Sequence, residues 1–579
     1  MGVVESDAPG RWRPRSRHLP VIVALLTAAY GVHSIVTALR PPESERRESL
    51  QEFIPLPASA SAVAVTATSG LLLVFLAHGL YRRKRRAWRM AVGLSGFLTV
   101  AHVVKTFNVR PAVAALVLLI VLVVAQRQFY AQGDPTTRWL AVRAFLLITG
   151  AGFGAGLLML KLYEHRLEGD PSLADRARTV LVGMIGISGP VRYADERADW
   201  IVSSVLVGFG ILAAVMTVYL ALRPLEPRPW LTVRDEQRLR GLLATQGQRD
   251  SLGYFALRVD KSVVWSPTGK AGVSYRVVAG VGLASGDPIG DPEAWPGAIG
   301  PFLELCDQHA WVPAVVGCSE QAGTIYRRHG LRVLEIGDEA IVDAGSFSLD
   351  GRSMRNVRHA VRRIARAGYA ASVRRQRDVP AEELAELAGV ADAWREGNTE
   401  RGFSMALGRF GDPADADCVV VTARHNGILR ALLTFAPWGP DGLSLDLMRR
   451  DRSADNGLNE FLITELLGSC AVLGVRRVSL NFALFRAALA RGEKLGAGPV
   501  SRWWSGLLVF ASRWWQIESL YRFNAKFGPE WVPRYICYPD PWSLGRIAVA
   551  TMEAEAFWRR PRPFQALAGR QLLGVGRGG

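Results

Sequence analysis

The chain has 579 residues, too many for a single domain, and pairs 49% hydrophobic with 21% charged residues at a mean hydropathy of +0.13, too apolar for an ordinary soluble protein. A net charge of +18 and a pI near 10.1 point to a polyanionic partner, either nucleic acid or anionic lipid headgroups. Five cysteines, Cys306, Cys318, Cys418, Cys470 and Cys537, form no C-x-x-C pair, which argues against a disulfide framework or a zinc site and for reduced thiols in a core.

The apolar excess lies before Arg223. Six runs are proposed as spans: Leu19–Leu39, Ala58–Leu80, Met90–Val104, Pro111–Ala125, Ala144–Leu160 and Trp200–Leu222. The third and fourth are short for a hydrocarbon core of ~30 Å. Basic residues at Arg11–Arg17, Arg82–Arg86, Arg127–Arg143 and Arg223–Arg228 fall on one side when the runs alternate, which sets both termini in the cytosol of a multi-pass inner-membrane protein. Lys105, His33, His78 and His102 are the ionisable candidates for a lipid or ion pathway, or else sit at helix ends and snorkel. The Gly-rich stretch Val180–Pro190 is too short to span and reads as re-entrant or interfacial.

From Leu231 the pattern becomes mixed strands and helices. Ser274–Ala284 reads as a strand, Trp295–His309 as a helix, Trp311–Gly317 as a strand and Glu320–His329 as a helix, closing near Asp338–Asp343. In a helix over Arg352–Ala367, Arg352, Arg355, Arg358, Arg362 and Arg366 recur at three- and four-residue steps and share a face, suited to phosphates of a nucleic acid or lipid or simply solvated. Strands follow at Cys418–Arg424, Leu429–Pro437 and Leu443–Arg449, then a helix Asn459–Leu473 and a strand Arg477–Phe482. Meander, helix, strand is the order of the acetyltransferase-like (GNAT) fold, and the length fits two in tandem. The fold class is therefore an α-helical transmembrane domain plus a cytosolic α/β domain of tandem GNAT-like units. The segments are 1–18 basic, 19–222 membrane, 223–252 linker, 253–350 and 351–545 for the two units, and 546–579 a basic tail.

Polar residues cluster at element ends in the second unit. Glu400 and Arg401 precede Gly402-Phe403-Ser404, and Asp446 lies within a strand beside Arg449 and Arg450. Asn456, Asn459 and Glu460 open a helix, while Asn481 and Arg486 follow the next strand. Carboxylates, amides and arginines at adjacent ends suit a cationic aminoacyl group beside phosphate, though each residue alone has a capping, pairing or solvation explanation. No Walker loop, H-E-x-x-H or G-x-S-x-G elbow is present. The glycine-rich loop that cradles acetyl-CoA is also missing, which suggests another acyl donor. Trp503-Trp504 and Trp514-Trp515 share a helical face that suits either a headgroup boundary or a core.

The runs Glu400–Met405 with Gly408-Arg409-Phe410, Leu445–Arg449, Val478–Ala483 and Gln516–Phe527 with Trp531–Tyr535 resemble the phosphatidylglycerol lysyltransferase family. The likeness is to the multiple peptide resistance factor type in its actinobacterial branch, and it covers roughly Gly253–Tyr538. It implies an aminoacyltransferase that moves an aminoacyl group, lysyl first, from charged tRNA onto phosphatidylglycerol, with the membrane half as a candidate flippase for the product. No cofactor is implied; aminoacyl-tRNA is the co-substrate, phosphatidylglycerol and anionic lipids are partners, and a homo-oligomer stays open. No synthetase follows Trp558, so the expectation is dependence on tRNA charged elsewhere. Asp446 or Glu400 would hold the ammonium or assist proton transfer, and Arg401, Arg449, Arg450 and Arg486 would bind phosphates. Asn456, Asn459 and Asn481 would orient carbonyl or ribose groups, with Glu460 beside them, and the arginine stripe would grip tRNA. Two other readings are a transferase acting on a peptidoglycan precursor and a lipid transporter with a non-catalytic cytosolic part.

Overall fold

The computed structural model describes residues 18–39, 56–106, 109–131, 137–222, 230–395, 402–484 and 517–557. These fall into a helical unit ending at Leu225 and an α/β unit that occupies most of the chain from Glu226 to Pro561.

In the helical unit every apolar run is a helix: α1 (His18–Leu39), α2 (Leu56–Tyr81), α3 (Arg85–Thr106), α4 (Val109–Val124), α5 (Thr137–Leu162), α6 (Leu173–Gly183) and α7 (Glu196–Ala221). Among the described residues, Leu19–Thr37, Trp139–Leu162 and Arg197–Ala221 are long and apolar enough to cross a bilayer, while Thr66–Tyr81 and Ala112–Gln128 are shorter. Small residues let backbones approach. A Cβ on Gly31 of α1 would stand 2.6 Å from the Gly70 carbonyl oxygen of α2, and the reverse holds at the same distance. The stretch at Val180–Pro190 is half helix: α6 ends at Gly183, with Val180 buried against the α5–α7 pair. His33 and His78 are exposed on their helices.

The α/β unit is one sheet. Its strands are β1 (Ser262–Trp265), β2 (Ala271–Val278), β3 (Val281–Ser285), β4 (Ile289–Gly290), β5 (Val312–Cys318), β6 (Arg332–Asp343), β7 (Tyr369–Arg375), β8 (Val419–His425), β9 (Ile428–Trp438), β10 (Gly442–Arg450), β11 (Arg477–Leu484) and β12 (Glu530–Tyr538). Their spatial order is β1-β2-β3-β5-β12-β6-β11-β10-β9-β8-β7, with β4 on β2. The helices are α8 (Val233–Gln246), α9 (Trp295–Gln308), α10 (Glu320–Arg328), α11 (Arg355–Arg366), α12 (Ala381–Ala393), α13 (Leu458–Leu473), α14 (Ile517–Ala525) and α15 (Leu544–Ala554).

The order contains the same block twice. An antiparallel meander runs through a helix into a parallel strand: β2-β3-α9-β5, and again β8-β9-β10-α13-β11. The last strand of each block is exchanged. β12, late in the chain, inserts between β5 and β6, while β6 of the first block pairs with β11 of the second. Under the second block, Leu443, Leu445, Val478 and Leu480 pack on Leu458, Phe461, Leu462 and Leu466 of α13. Each such side chain contributes about 1.5–3 kcal/mol on burial.

The expected single strand over Ser274–Ala284 is two. Ala279 and Gly280 both adopt positive φ (53° and 69°), the twist that a two-residue hairpin turn needs. The helix expected over Arg352–Ala367 starts at Arg355, and Arg352 lies in the turn before it.

Candidate active site at a strand fork

Parallel strands β10 and β11 pair only over Gly442–Ser444 and Arg477–Ser479. Beyond these pairs β10 stays on β9 and β11 stays on β6. The two strands diverge, and a fork opens between them. Both arms are irregular where they part. A bulge between Leu445 and Leu447 leaves Asp446 out of the β9 ladder, and β11 slips its register between Ser479 and Phe482, with Asn481 at φ 66°. Bulges of this kind re-aim a side chain.

Two donors clamp the Asp446 carboxylate. Leu407 N–H donates to Oδ1 at 2.6 Å and the buried Thr434 hydroxyl donates to Oδ2 at 3.0 Å. Across the fork, Asn481 Nδ2–H donates to the Leu445 carbonyl at 2.7 Å, so a side chain bridges the strands where the backbone no longer does. The buried Asn481 Oδ1 and Asn459 Oδ1 accept no hydrogen bond among the described residues. With one Nδ2 hydrogen on the Leu445 carbonyl, Asn481 keeps Oδ1 as an acceptor without a described partner.

A cleft of about 190 Å³ lies on the β10 arm. Asp446, Leu447 and Arg449 form one wall, Gly408, Arg409 and Phe410 another, and α12 supplies Ala388, Ala391, Asp392 and Arg395. Arg409 adds little free charge, because its guanidinium is bound to Asp415 at 2.7 Å and to Glu236 at 2.9 Å. Arg240 and the Tyr254 hydroxyl complete that network on Asp415, each at 2.8 Å. Asp392 and Arg395 on the α12 wall pair with each other.

The loop that presents Leu407 N–H is held from below by residues without a sequence signature. Ser404 donates its N–H and its hydroxyl to Glu555 Oε1 at 3.1 and 2.5 Å. Arg258 donates to the carbonyls of Gly402 at 3.2 Å and Ala406 at 3.0 Å. Lys261 Nζ lies 4.6 Å from the Phe403 ring centroid and donates to Phe255 O at 3.0 Å and Ser285 Oγ at 2.7 Å. Burial, reinforced by the Arg258 charge, pushes the Lys261 ammonium down to about 7; burial raises the Glu555 carboxyl. Glu555 follows Ser404 by 151 positions, so only folding joins them.

The other expected residues divide. Arg450 lies at the end of β10, its guanidinium 3.5 Å from Asn456 Oδ1. Asn456 does not cap α13; Gly457, at φ 100°, occupies that place with no side-chain cap. Glu460 is held by Lys526 at 2.7 Å, so its carboxylate is already paired. Arg358 donates to the carbonyls of Leu349 and Gly351 and leaves the basic face with Arg352. Arg355, Arg362 and Arg366 remain exposed on α11. Glu400, Arg401, Arg486 and the four tryptophans at 503, 504, 514 and 515 lie outside the described residues.

The equivalent fork in the first block is filled. Strands β3 and β5 pair from Val281 to Ser285, and Gly286 N–H continues to Val316 O. Arg534 from β12 then donates to Gly317 O at 3.2 Å, to Asp250 at 2.8 Å and to Glu339 Oε2 at 2.5 Å. Asp287 beyond it accepts from Ser319 N–H and hydroxyl at 2.7 and 2.6 Å, its carboxyl pushed up by burial and by Asp250. Among the described residues no group of His, Cys, Asp and Glu is arranged to hold a metal ion.

Residues 240–538 match the family model described as phosphatidylglycerol lysyltransferase, C-terminal, and residues 15–220 match one described as the transmembrane region of lysyl-tRNA synthetase. A lysylphosphatidylglycerol biosynthesis bifunctional protein LysX from Mycobacterium avium is 43% identical over 500 residues, 84% of this chain and 42% of that protein. Its counterpart in Mycolicibacterium gilvum is 41% identical over 574 residues, 95% of this chain and 50% of that protein. The chain thus spans about half the length of these relatives or less. The solved structure of L-PGS from Bacillus licheniformis is 22% identical, covers 58% of this chain and 99% of its own, and superposes at a TM-score of 0.49.

Proposed function

The chain belongs to the phosphatidylglycerol lysyltransferase family, and from that premise we propose that it is a membrane-bound aminoacyltransferase that moves a lysyl group from charged tRNA onto the glycerol headgroup of phosphatidylglycerol. The observation that carries the reading is the open fork, with Asp446 turned out of its ladder, clamped by Leu407 N–H and Thr434, and lining one cleft with Arg449 three residues on.

The reaction is an ester exchange. The lipid hydroxyl oxygen bonds to the aminoacyl carbonyl carbon, the bond to the tRNA ribose oxygen breaks, and the proton moves from the lipid hydroxyl to that ribose oxygen. Donor and product are both esters, so the protein needs to supply positioning and charge stabilisation and no covalent nucleophile. Asp446 takes the donor's ammonium or the hydroxyl proton. Arg449, with Arg450 at the strand end, takes the lipid phosphate. Asn481 Oδ1 accepts from a hydroxyl or ammonium entering the fork, and Arg355, Arg362 and Arg366 contact tRNA phosphates. Glu400, Arg401 and Arg486 keep their proposed roles on sequence grounds alone. The reading sets the α/β unit on the cytosolic side of the inner membrane with both termini, supported by the basic residues between alternate apolar runs.

The test is reconstitution of the full chain in phosphatidylglycerol vesicles with charged lysyl-tRNA. A lysylated lipid identified by mass, lost on ribonuclease treatment, supports the reading; synthesis that survives complete digestion of the tRNA sinks it.

A further inference from the structure

We propose that Trp230, Val233 and Val259 form a face by which the α/β unit docks on the surface of the bilayer that holds the apolar helices. These residues are large, apolar and turned outward, with 74%, 73% and 51% of their surface exposed. They come from two segments, yet one hydrogen bond joins them: Leu231 N–H donates to Val259 O at 3.1 Å. Leu231 itself is buried against the core, and this fixes Trp230 on its outer side. Thr232 caps α8 through Asp235 N–H at 3.1 Å, which holds Val233, the first helical residue, outward as well. That hydrogen bond brings the three residues onto neighbouring segments, unlike scattered surface apolar residues, which carry no meaning.

Two observations choose a lipid surface as the occupant. The first is chain length. Apolar helix α7 ends at Ala221, and Trp230 follows Leu222 by eight residue steps, at most about 30 Å of extended chain. The second is charge. Arg234 is exposed beside Val233 and makes no ion pair among the described residues. Of the nearby acids, Asp260 is paired with Arg258 and Arg276, and Asp235 accepts from Thr232 and Trp265. A tryptophan, two valines and an exposed arginine match the boundary between acyl chains and anionic headgroups.

The inference rests on the membrane reading of the helical unit and not on the transferase reading. The five native cysteines are buried, so an introduced thiol takes an environment-sensitive nitrobenzoxadiazole label selectively. We would place the label by W230C or, on the other segment, V259C, in the full chain in phosphatidylglycerol-containing vesicles. Val472→Cys, at a residue 92% exposed, and Leu212→Cys on α7 serve as controls. Expected are a blue-shifted emission at 230 and 259 and severalfold quenching by lipids brominated high on the acyl chain, with water-like emission at 472. Water-like emission at 230 and 259 beside a quenched label at 212 overturns the docking face alone. A blue shift that brominated lipid does not quench also overturns it, because the cover is then protein, either a second copy or the chain's own helices. An unquenched label at 212 overturns the membrane reading and the docking face with it.

Discussion

Leu407 N–H and Asp446 Oδ1 are joined at 2.6 Å across 39 positions of sequence, and this one bond ties the Gly402–Phe410 loop to the bulged strand of the fork. The carboxylate also accepts from Thr434, so its direction is fixed by two donors from two separate elements. Asp446→Asn keeps the volume and both contacts, its amide oxygen accepting from Leu407 N–H and its NH2 donating to Thr434 Oγ, but removes the negative charge. Lysyl transfer by both Asp446→Asn and Asp446→Ala is expected to fall by about 10²-fold or more. For Asp446→Ala, stability would drop by only about 1–3 kcal/mol for the unsatisfied donors. Product formation and thermal unfolding of the same detergent-solubilised samples separate the two effects; near-normal transfer by Asp446→Ala would remove Asp446 from the chemistry.

Arg534 closes the first fork and is buried with Glu339 and Asp250. Removing the cation alone leaves two carboxylates without their partner in the interior, so Arg534→Met should destabilise the α/β unit by about 3–5 kcal/mol. Combining it with Glu339→Gln removes one of the stranded charges and should recover part of the loss. Equal midpoints for the single and double variants in thermal unfolding would show that the cluster does not act as a unit.

The meander and the helix after it were legible because each is local. The strands around Val421, Leu433 and Leu445 and the helix over α13 show their periods within a dozen residues, and the structure has them within a few positions. The hairpin at Ala279 was not legible, since alanine gives no sign that its φ will be positive. Nor was the strand exchange, because β12 meets β5 and β6 only after some two hundred residues of intervening chain. At the site, Asp446 stood out as a carboxylate in an apolar strand. Thr434, Leu407 and Glu555 did not, since a threonine in a strand, a backbone amide and an acid near a tail are all ordinary until folding brings them together.

Lys261 gives the stability a pH dependence of known sign. Its ammonium titrates at 10.5 ordinarily and at about 7 in the fold. Between these values the unfolded chain binds the extra proton, so stability rises with pH through that window, by at most about 1.4 kcal/mol per pH unit. Below pH 7 both states are charged and the penalty is constant. Lys261→Met should flatten the rise in unfolding temperature between pH 7 and 10 whatever it does to the absolute value. Glu555 works in the opposite sense at lower pH: its raised folded value makes stability fall as pH rises above about 4.5, a decline that Glu555→Gln should abolish. Unchanged slopes in both variants would mean that neither group is titrating from a buried position.

If the basic face of α11 binds tRNA as proposed, binding and chemistry can be separated. Arg355, Arg362 and Arg366 are exposed, and α11 meets the start of α13 closely: a Cβ on Gly457 would lie 3.1 Å from Ala360 Cβ, and Arg363 donates to Asn456 O at 2.5 Å. On the proposed reading, a polynucleotide lying along this face would end near the β10 arm of the fork, where the aminoacyl ester would be delivered. Each phosphate contact contributes roughly 0.7–0.9 to the slope of log affinity against log salt. Replacing all three arginines with glutamine should lower that slope by about two to three. It should also raise KM for charged tRNA at physiological salt, with kcat changed little, because the substituted groups lie away from the reacting ester. Binding isotherms over a salt series give the slope directly. If it stays as steep as in the parent protein while Asp446→Ala still abolishes transfer, the fork is the reaction centre but the tRNA approaches it from another side.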